Sequence, residues 1–522
     1  MSVSARTIAG LLDDAAAARP AQPLLLDVDG NALTAGEVAL LSLAATRWLH
    51  DQGVRPGMTV AWQLPSTVPA ALLMLALARS AVNQAPIIHI YRSREVAQAI
   101  EVGDADVLVV DGSTAANAPA GMHVITVPDG FVGMLRGLHQ TARPELAPAN
   151  HDAAEPRWIY FTSGTTGSPK GVVHSDTTLL SAAKGFTEYL GLGSHPAETG
   201  TICFPIAHIG GMVYLSCALL AGYPLLMVPR FTPEQLPGLL AEHNVTVAGG
   251  GSAVYQMLVS AQLGSGAAEP LMPSLRMLIG GGAPCPPELH RRVRQHLGVP
   301  VVHAYGMTEA AMICVGRVDD TTEQQIQTSG SAIPGSQIRI VRYEPDGTRT
   351  VLPPDTEGQI ELCGANMTRG YRDEQQWAAA LTDDGWFRTG DRGLLRPDDH
   401  IVVTGRTKEL IIRKGENIAP AEIESELLRH PRVDEVAVVG VADELRGELV
   451  CAVVRRSPRH RDPTLDELCI FLDERGLMKQ KWPERLVIVD DFPMTGLGKV
   501  AKAELARQIA HHGPDRTGCP PR

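Results

Sequence analysis

The stretch YFTSGTTGSPKGVV, residues 160–173, places hydroxyl side chains and glycines between two apolar flanks and ends its polar part on a lysine. Two readings compete. Runs of Gly, Ser and Thr commonly serve as flexible linkers. The same composition suits a loop whose backbone N–H groups converge on an anion. Gly164, Gly167 and Gly171 permit the close approach, and Ser163, Thr165, Thr166 and Ser168 offer hydroxyl donors. Lys170 adds a mobile point charge. Strand-like apolar runs on both sides embed the stretch in a fold, which favours the phosphate loop. It is not a Walker A loop, because Gly164 is followed five positions later by Pro169 and then by Lys170 and Gly171.

Bulk properties narrow the partners. A chain of 522 residues predicts roughly three to four units of domain size. Its 44% hydrophobic and 20% charged content is that of a globular protein with a large core. The net charge of −12 argues against nucleic acid, which demands clustered Lys and Arg, but leaves room for small anions at a local positive site. The eight cysteines form no CxxC pair, so neither a zinc knuckle nor a disulfide scaffold is expected, and the thiols read as reduced in a cytoplasm. The N-terminus lacks the sustained apolar core of a secretory signal. The longest apolar run, residues 68–82, is interrupted by Arg79 and is too short to span a bilayer. It reads as a buried helix, and the polar, Pro-containing residues 511–522 read as a disordered tail.

Apolar runs of strand length alternate with helical periodicity through residue 306: 57–65, 105–112, 122–127, 224–230, 245–250, 275–284 and 299–306 read as strands, and 35–52, 68–82 and 233–242 as helices. This predicts layered α/β sheets with ligand loops at the carboxyl ends of the strands. From about 336 the pattern alternates residue by residue around turn signals such as Asp346-Gly347, predicting antiparallel β structure. Beyond 405 a smaller helix–strand–strand unit follows the charged segment TGRTKELIIRKGEN. The expected organisation is a large, multi-subdomain N-terminal region over 1–404, a hinge at 405–409, a small mobile α+β domain over 410–510 and the tail. No GxGxxG, GxSxG or HExxH motif is present, which removes the usual dinucleotide, serine-hydrolase and zinc-protease readings.

Seven segments, taken together and in order, resemble the ANL superfamily of adenylate-forming enzymes, which includes acyl- and aryl-CoA synthetases, peptide-synthetase adenylation domains and luciferases. They are YFTSGTTGSPKGVVHS (160–175), FPIAHIGG (204–211), GGGAPCP (280–286), AYGMTEA (304–310), GWFRTGD (385–391), GRTKELIIRKGENIAPAEIE (405–424) and PMTGLGK (493–499). QAPIIHIYRSREV (84–96) is similar to the medium-chain and cyclohexanecarboxylate CoA ligase branch. The resemblance implies a two-step acid–thiol ligation: a carboxylate attacks the ATP α-phosphate to give acyl-AMP and pyrophosphate, and a thiol then displaces AMP. It implies ATP, Mg²⁺ and coenzyme A as ligands and a small carboxylic acid as substrate.

The roles carry over residue by residue. Thr162, Ser163, Gly164, Thr165, Thr166, Gly167 and Lys170 would hold the β- and γ-phosphates. Gly282, Ala283, Pro284, Tyr305 and Gly306 would frame the adenine. Thr308 would contact the α-phosphate, and Glu309 would hold Mg²⁺, a hard cation suited to a carboxylate. Taken without its neighbours, Thr-Glu would read as a helix N-terminus. Asp391 would accept both ribose hydroxyls, and Arg406 would reach the same ribose or the phosphate. Lys499, in a Gly-flanked and therefore mobile loop, would bridge the attacking carboxylate and the nucleotide, although the family more often has Arg where Met494 stands. Lys408 aligns with the hinge about which the C-terminal domain rotates between steps, and Lys414, Gly415 and Glu416 with the path of the pantetheine arm. His208, Gly250, Gly251, Gly281 and Met307 would line the acyl pocket, a structural, hydrogen-bonded His208 being the competing reading.

FPIAHIGG has no acid to pair with a substrate ammonium, which disfavours α-amino acids. Gly249, Gly250 and Gly251 would leave room for a wide, alicyclic or polycyclic acid, or else serve only close strand–helix packing. The acceptor is free CoA or a carrier-protein thiol, and the chain carries no phosphopantetheine-attachment domain. Specialisation for one half-reaction, a catalytically dead binder and a homodimer are all compatible with the motifs.

Overall fold

The computed structural model describes residues 7–140, 151–162, 169–282, 285–344, 348–413, 416–443, 447–495 and 499–511. Among these residues the large N-terminal region holds two stacked mixed sheets and a separate antiparallel one. In the seven-stranded sheet, Thr59–Gln63 lies between parallel neighbours Asn83–Pro86 and Val107–Val110, and His123–Thr126 extends it. Pro156–Thr162 and Lys170–Ser175 form an antiparallel hairpin that carries the 163–168 loop, itself outside the described residues. The nine-stranded sheet runs parallel through Val301–Met307, Met277–Gly281, Val247–Gly249, Gly200–Ile202 and Leu225–Met227. Thr59–Gln63, Val107–Val110, His123–Thr126, Leu225–Met227, Val247–Gly249, Met277–Gly281 and Val301–Met307 sit where the apolar runs predict strands, whereas Asn83–Pro86 and Gly200–Ile202 lie outside those runs. The inner strands Thr59–Gln63 and Val107–Val110 are buried on both faces, and His123–Thr126 at the edge is not.

The pleat explains the layers. Val60 and Trp62 share one core with Val247, Ile279 and the helices Ala35–Asp51, Val68–Arg79, Asp176–Leu190 and Ile209–Ala221, so those helices fill the space between the two sheets. Ala61, Leu108 and Ile159 point to the other face of the first sheet, against the helix Ser93–Gly103. Ala248, Leu278 and Val301 do the same on the second, against Ser252–Ser265 and Pro287–Leu297. The helix starts are written in the sequence: Thr34 and Glu37 close a capping box, Thr67 precedes a proline in the first turn, and Ser175 caps Asp176–Leu190.

Ser336–Tyr343, Arg349–Val351, Gly358–Gly364, Phe387–Leu395 and Ile401–Arg406 form the antiparallel sheet, and the Asp346-Gly347 turn lies outside the described residues. A short 3₁₀ turn over Thr407–Glu409 then leads into a second five-stranded sheet that begins at Ile411 and is covered by helices Pro420–Leu427, Leu465–Glu474 and Lys502–His511. No disulfide joins the seven described cysteines. No helix of the described residues is long and apolar enough to cross a membrane.

One buried polar knot anchors the amino-terminal helix. Asp176 accepts from the Ile8 backbone N–H at 2.9 Å and from the Trp158 indole at 2.7 Å, with His151 at 3.4 Å and Arg157 at 3.8 Å. Burial pushes its carboxyl up, but these partners outweigh it and hold the group below its usual value. Asp176→Ala strands Arg157 and two donors, so a loss of about 3–5 kcal/mol is expected, read as a fall in Tm by calorimetry. A Tm within a degree of wild type would contradict this.

Burial also lowers six histidines, four of them strongly: His174, His208 and His303 to about 4, and His290 to about 3, with His89 and His430 shifted in the same direction. An unfolded imidazole titrates near 6.5, so between that pH and about 4 the unfolded chain binds the extra protons. Stability is therefore full above pH 7 and lost as pH falls through this window, each histidine contributing up to about 1.4 kcal/mol per pH unit. Melting between pH 8 and 5 should show a flat limb followed by a steep acid limb.

Candidate active site

The carboxyl ends of three neighbouring parallel strands bring the central residues together. Register pairs Gly249 with Ile279 and Gly281 with Ala304, so Gly250, Gly282 and Tyr305 emerge on one rim. Val301–Met307 then turns straight back into Ala310–Val315, with Met307 opposite Ala310. Thr308 and Glu309 are thus the two tip residues of a β-hairpin, not the start of a helix. The tip is held from beneath. The His174 imidazole donates from Nε2 to the Thr308 carbonyl at 2.7 Å, and the Thr368 N–H donates to the Glu309 carbonyl at 2.7 Å.

Asp391 is the meeting point of three segments. The Tyr305 hydroxyl donates to Oδ2 at 2.7 Å and Arg406 Nε to Oδ1 at 3.1 Å. The carboxylate is buried, and burial pushes its pKa up against the opposing pull of Arg406 and Tyr305. Each oxygen keeps a lone pair, so the group can still accept two further hydroxyls.

Lys499 arrives from the C-terminal domain. Its Cε lies 4.0 Å from where a Cβ on Gly282 would stand, and Gly282 has φ +83°, a conformation that favours glycine. Its chain is tied rather than loose: Lys499 N–H donates to the Thr495 hydroxyl at 3.2 Å, Thr495 N–H to the Lys499 carbonyl at 2.7 Å, and Met494 bridges to Val500. Residues 496–498 lie outside the described residues. Burial lowers the Lys499 pKa and Arg406 lowers it further, while Asp391 and Glu409 work in the opposite sense. On the same approach, the Gln256 amide donates to the Asp434 carbonyl at 3.4 Å and joins the two domains.

His208 caps the helix Ile209–Ala221: its Nδ1 accepts the Gly210 N–H at 3.2 Å. Burial, reinforced by Lys499, keeps the ring neutral, so its single proton sits on Nε2 and can be donated. The residue is therefore both structural and placed in a cleft lined by Ile88, Tyr91, Tyr160, Phe161 and Thr308, among others. The buried Tyr160 hydroxyl has no hydrogen-bond partner among the described residues.

The glycine run resolves unevenly. A Cβ on Gly249 would fall 2.2 Å from the Tyr214 ring, and one on Gly281 2.0 Å from the Ala304 carbonyl oxygen. One on Gly250 would crowd Val254 at 3.1 Å, whereas Gly251 faces only the Gly281 carbonyl oxygen at 3.7 Å. Gly249 and Gly281 therefore answer to close packing, Gly250 would take a side chain only if Val254 gave way by a few tenths of an ångström, and Gly251 is the glycine of its run with open space.

Of the phosphate loop, Thr162 and Lys170 lie on the flanking strands and face each other across the hairpin, whereas Ser163, Gly164, Thr165, Thr166, Gly167 and Ser168 lie outside the described residues. So do Ala283, Pro284, Lys414 and Gly415, and the side chains of Lys408 and Glu416. Gly306 sits against the Ala311 carbonyl, at the register shift between Tyr305 and Met307. Two residues that sequence reasoning passed over complete the site. His174 stands inside the quoted 160–175 segment, and Tyr371 donates to Glu309 Oε1 at 2.7 Å from the segment MTRGYR (367–372). Its aromatic beside glycine and two arginines was the available signal.

Comparison with known proteins identifies the family. The AMP-binding enzyme family matches residues 12–372, and its C-terminal domain matches 422–499. The sulfoacetate–CoA ligase of Cupriavidus necator is 32% identical over 96% of this chain and 97% of its own. The medium-chain fatty-acid–CoA ligase of Escherichia coli is 27% identical over 96% and 90%. A 2-succinylbenzoate–CoA ligase of Bacillus mycoides is 34% identical over 67% and 70%. Among solved structures, ATP-bound MatB of Rhodopseudomonas palustris superposes with a TM-score of 0.85 at 28% identity, covering 97% of this chain and all (100%) of that one. The o-succinylbenzoate CoA synthetase of Bacillus subtilis, in complex with its acyl-adenylate, gives 0.82 at 26%, covering 98% and 99%. With both its large and small domains matched, the chain belongs to the AMP-binding enzyme family and is an acid–thiol ligase of the AMP-forming acyl-CoA synthetase type.

Proposed function

We propose that the chain activates a hydrophobic carboxylic acid with ATP and passes the acyl group to CoA in one shared site. The observation that carries this reading is Lys499: a cation from the C-terminal domain, set against Gly282 and in electrostatic reach of His208 and Asp391. Asp391 and Arg406 would take the ribose hydroxyls and Tyr305 would stack beneath the base, with Gly282 to Pro284 at its edge. Thr308 would meet the α-phosphate. Lys170, with the 163–168 loop, would grip the β- and γ-phosphates.

The donor set fits Mg²⁺, since Tyr371 takes only one oxygen of Glu309 and the other remains to hold a hard cation. That ion would supply neutralising charge on the phosphates. The acid and the α-phosphate are both anionic, so their approach is the costly part of the first step. Lys499 lowers that cost by facing both, and the His208 Nε2–H donates to oxygen on the acyl side. The carboxylate oxygen bonds to phosphorus as the bond to pyrophosphate breaks. In the second step the CoA thiolate bonds to the acyl carbon and AMP leaves with the electron pair. Lys408 would act as the hinge and Lys414, Gly415 and Glu416 as the thiol approach.

The curated relatives name acids as different as sulfoacetate, a fatty acid and 2-succinylbenzoate. We assign the width of the pocket to Gly251, the one glycine of its run with open space, and a bulky alicyclic or polycyclic acid to that space. Free CoA is the acceptor that the relatives favour. The test is a panel of short linear, aromatic, alicyclic and polycyclic acids scored separately for pyrophosphate release and for CoA thioester. Gly251→Leu should lower kcat/KM for alicyclic acids by about tenfold or more while short acids stay within about twofold. Equal effects on both classes would refute the pocket assignment. Pyrophosphate without thioester would transfer the acceptor role to a carrier protein.

A further inference from the structure

Tyr371 contacts both charged groups that the proposed reaction assigns to the phosphates and their metal, Lys170 and Glu309. It sits on the two-residue strand Gly370–Tyr371, which pairs antiparallel with Lys170–Ser175, Tyr371 opposite Val172. The strand is stitched at both ends: Arg372 N–H donates to the Gly171 carbonyl at 2.8 Å, and Arg369 N–H to the Val173 carbonyl at 2.8 Å. The same segment reaches the hairpin tip through the Met367–Ala310 bridge and the Thr368-to-Glu309 backbone bond. From this position the Tyr371 hydroxyl donates to Glu309 Oε1 at 2.7 Å, while the Lys170 ammonium lies over the ring face, 4.7 Å from its centroid. The Lys170 charge thus rests on the ring and not on the Glu309 carboxylate.

Packing alone does not call for this residue. The ring meets Trp377 edge-on at 5.4 Å and joins Val172 and Phe387 in a small apolar cluster, a place where phenylalanine would serve as well. A buried hydroxyl adds a donor that must be satisfied, and here it is satisfied by a carboxylate. Burial and Glu309 both push the phenol far above its usual pKa, so it stays protonated and donates. Both charges contact the same tyrosine, one at its ring face and one at its hydroxyl; were they to pair with each other, the carboxylate would be less available to a cation and the ammonium to an anion. A ring with a cation on its face and a carboxylate on its hydroxyl keeps the two apart and fixes the spacing between them.

We propose that Tyr371 is a positioning residue that holds Lys170 and Glu309 apart and orients the free Glu309 oxygen toward the metal–phosphate group; this rests on the reading of both residues given under the proposed function. Tyr371→Phe keeps the ring and removes the hydroxyl. Tyr371→Leu removes both and frees Lys170 to pair with Glu309. ATP affinity is measured by calorimetry on the full chain with Mg²⁺ and again in EDTA, alongside the Mg²⁺ dependence of pyrophosphate release and Tm.

For Tyr371→Phe, Tm within about two degrees of wild type is expected, with the half-saturating Mg²⁺ concentration raised about tenfold or more, as for loss of other groups that orient a metal ligand. Its ATP affinity in EDTA should match wild type. Tyr371→Leu should weaken ATP in EDTA as well, because Lys170 is then occupied. An unchanged or lowered Mg²⁺ requirement in Tyr371→Phe overturns the proposal even if Tyr371→Leu fails to fold. If the wild-type chain binds no ATP, the proposed function fails, and that outcome is separate from either variant.

Discussion

The Asp391 carboxylate joins the nine-stranded sheet to the antiparallel sheet that carries it and lies in electrostatic reach of the C-terminal domain. Tyr305 reaches it from the end of a parallel strand in the nine-stranded sheet, and Arg406 reaches it from the last strand of the antiparallel sheet. Five residues past Arg406 the second five-stranded sheet begins, and Lys499, from that part of the chain, feels the Asp391 charge. Among the described residues this buried carboxylate has two side-chain donors, which leaves it room to accept hydroxyl groups from a ligand. The same carboxylate ties Tyr305 of the nine-stranded sheet to Arg406 of the antiparallel sheet.

Much of this was legible in the sequence, and the reasons differ by element. Buried parallel strands such as Val107–Val110 and Leu225–Met227 are continuous apolar runs because both faces are covered, and the eye finds them easily. The ordered motifs named the family outright. Other features had no local signal. His174 contacts a carbonyl 134 residues away, and Tyr371 is placed by a two-residue edge strand that no periodicity reveals. The Thr308-Glu309 pair suits a helix start by residue type, and the strand before it decided the matter by turning back on itself.

The glycines show the limit most clearly. A small residue that makes room for a ligand and a small residue that makes room for a neighbouring ring look identical in sequence. Gly249 is small because Tyr214, on the helix that His208 caps, lies against it, whereas Gly251 has no such neighbour. His208 is similarly double: its Nδ1 is spent on a helix cap, and that bond is what leaves the proton on Nε2, facing the site. Structural duty and chemical availability are set by the same hydrogen bond.

On the proposed function, Lys499, carried by the C-terminal domain, serves the first chemical step and not the second. Single-turnover kinetics on Lys499→Ala separate the two, with pyrophosphate release from acid and ATP on one arm and thioester from synthetic acyl-AMP and CoA on the other. The account predicts a loss of about a hundredfold or more in the first arm, as for removal of a preorganised charge, with the second within about threefold of wild type. Equal losses in both arms, or an intact first arm, would contradict it.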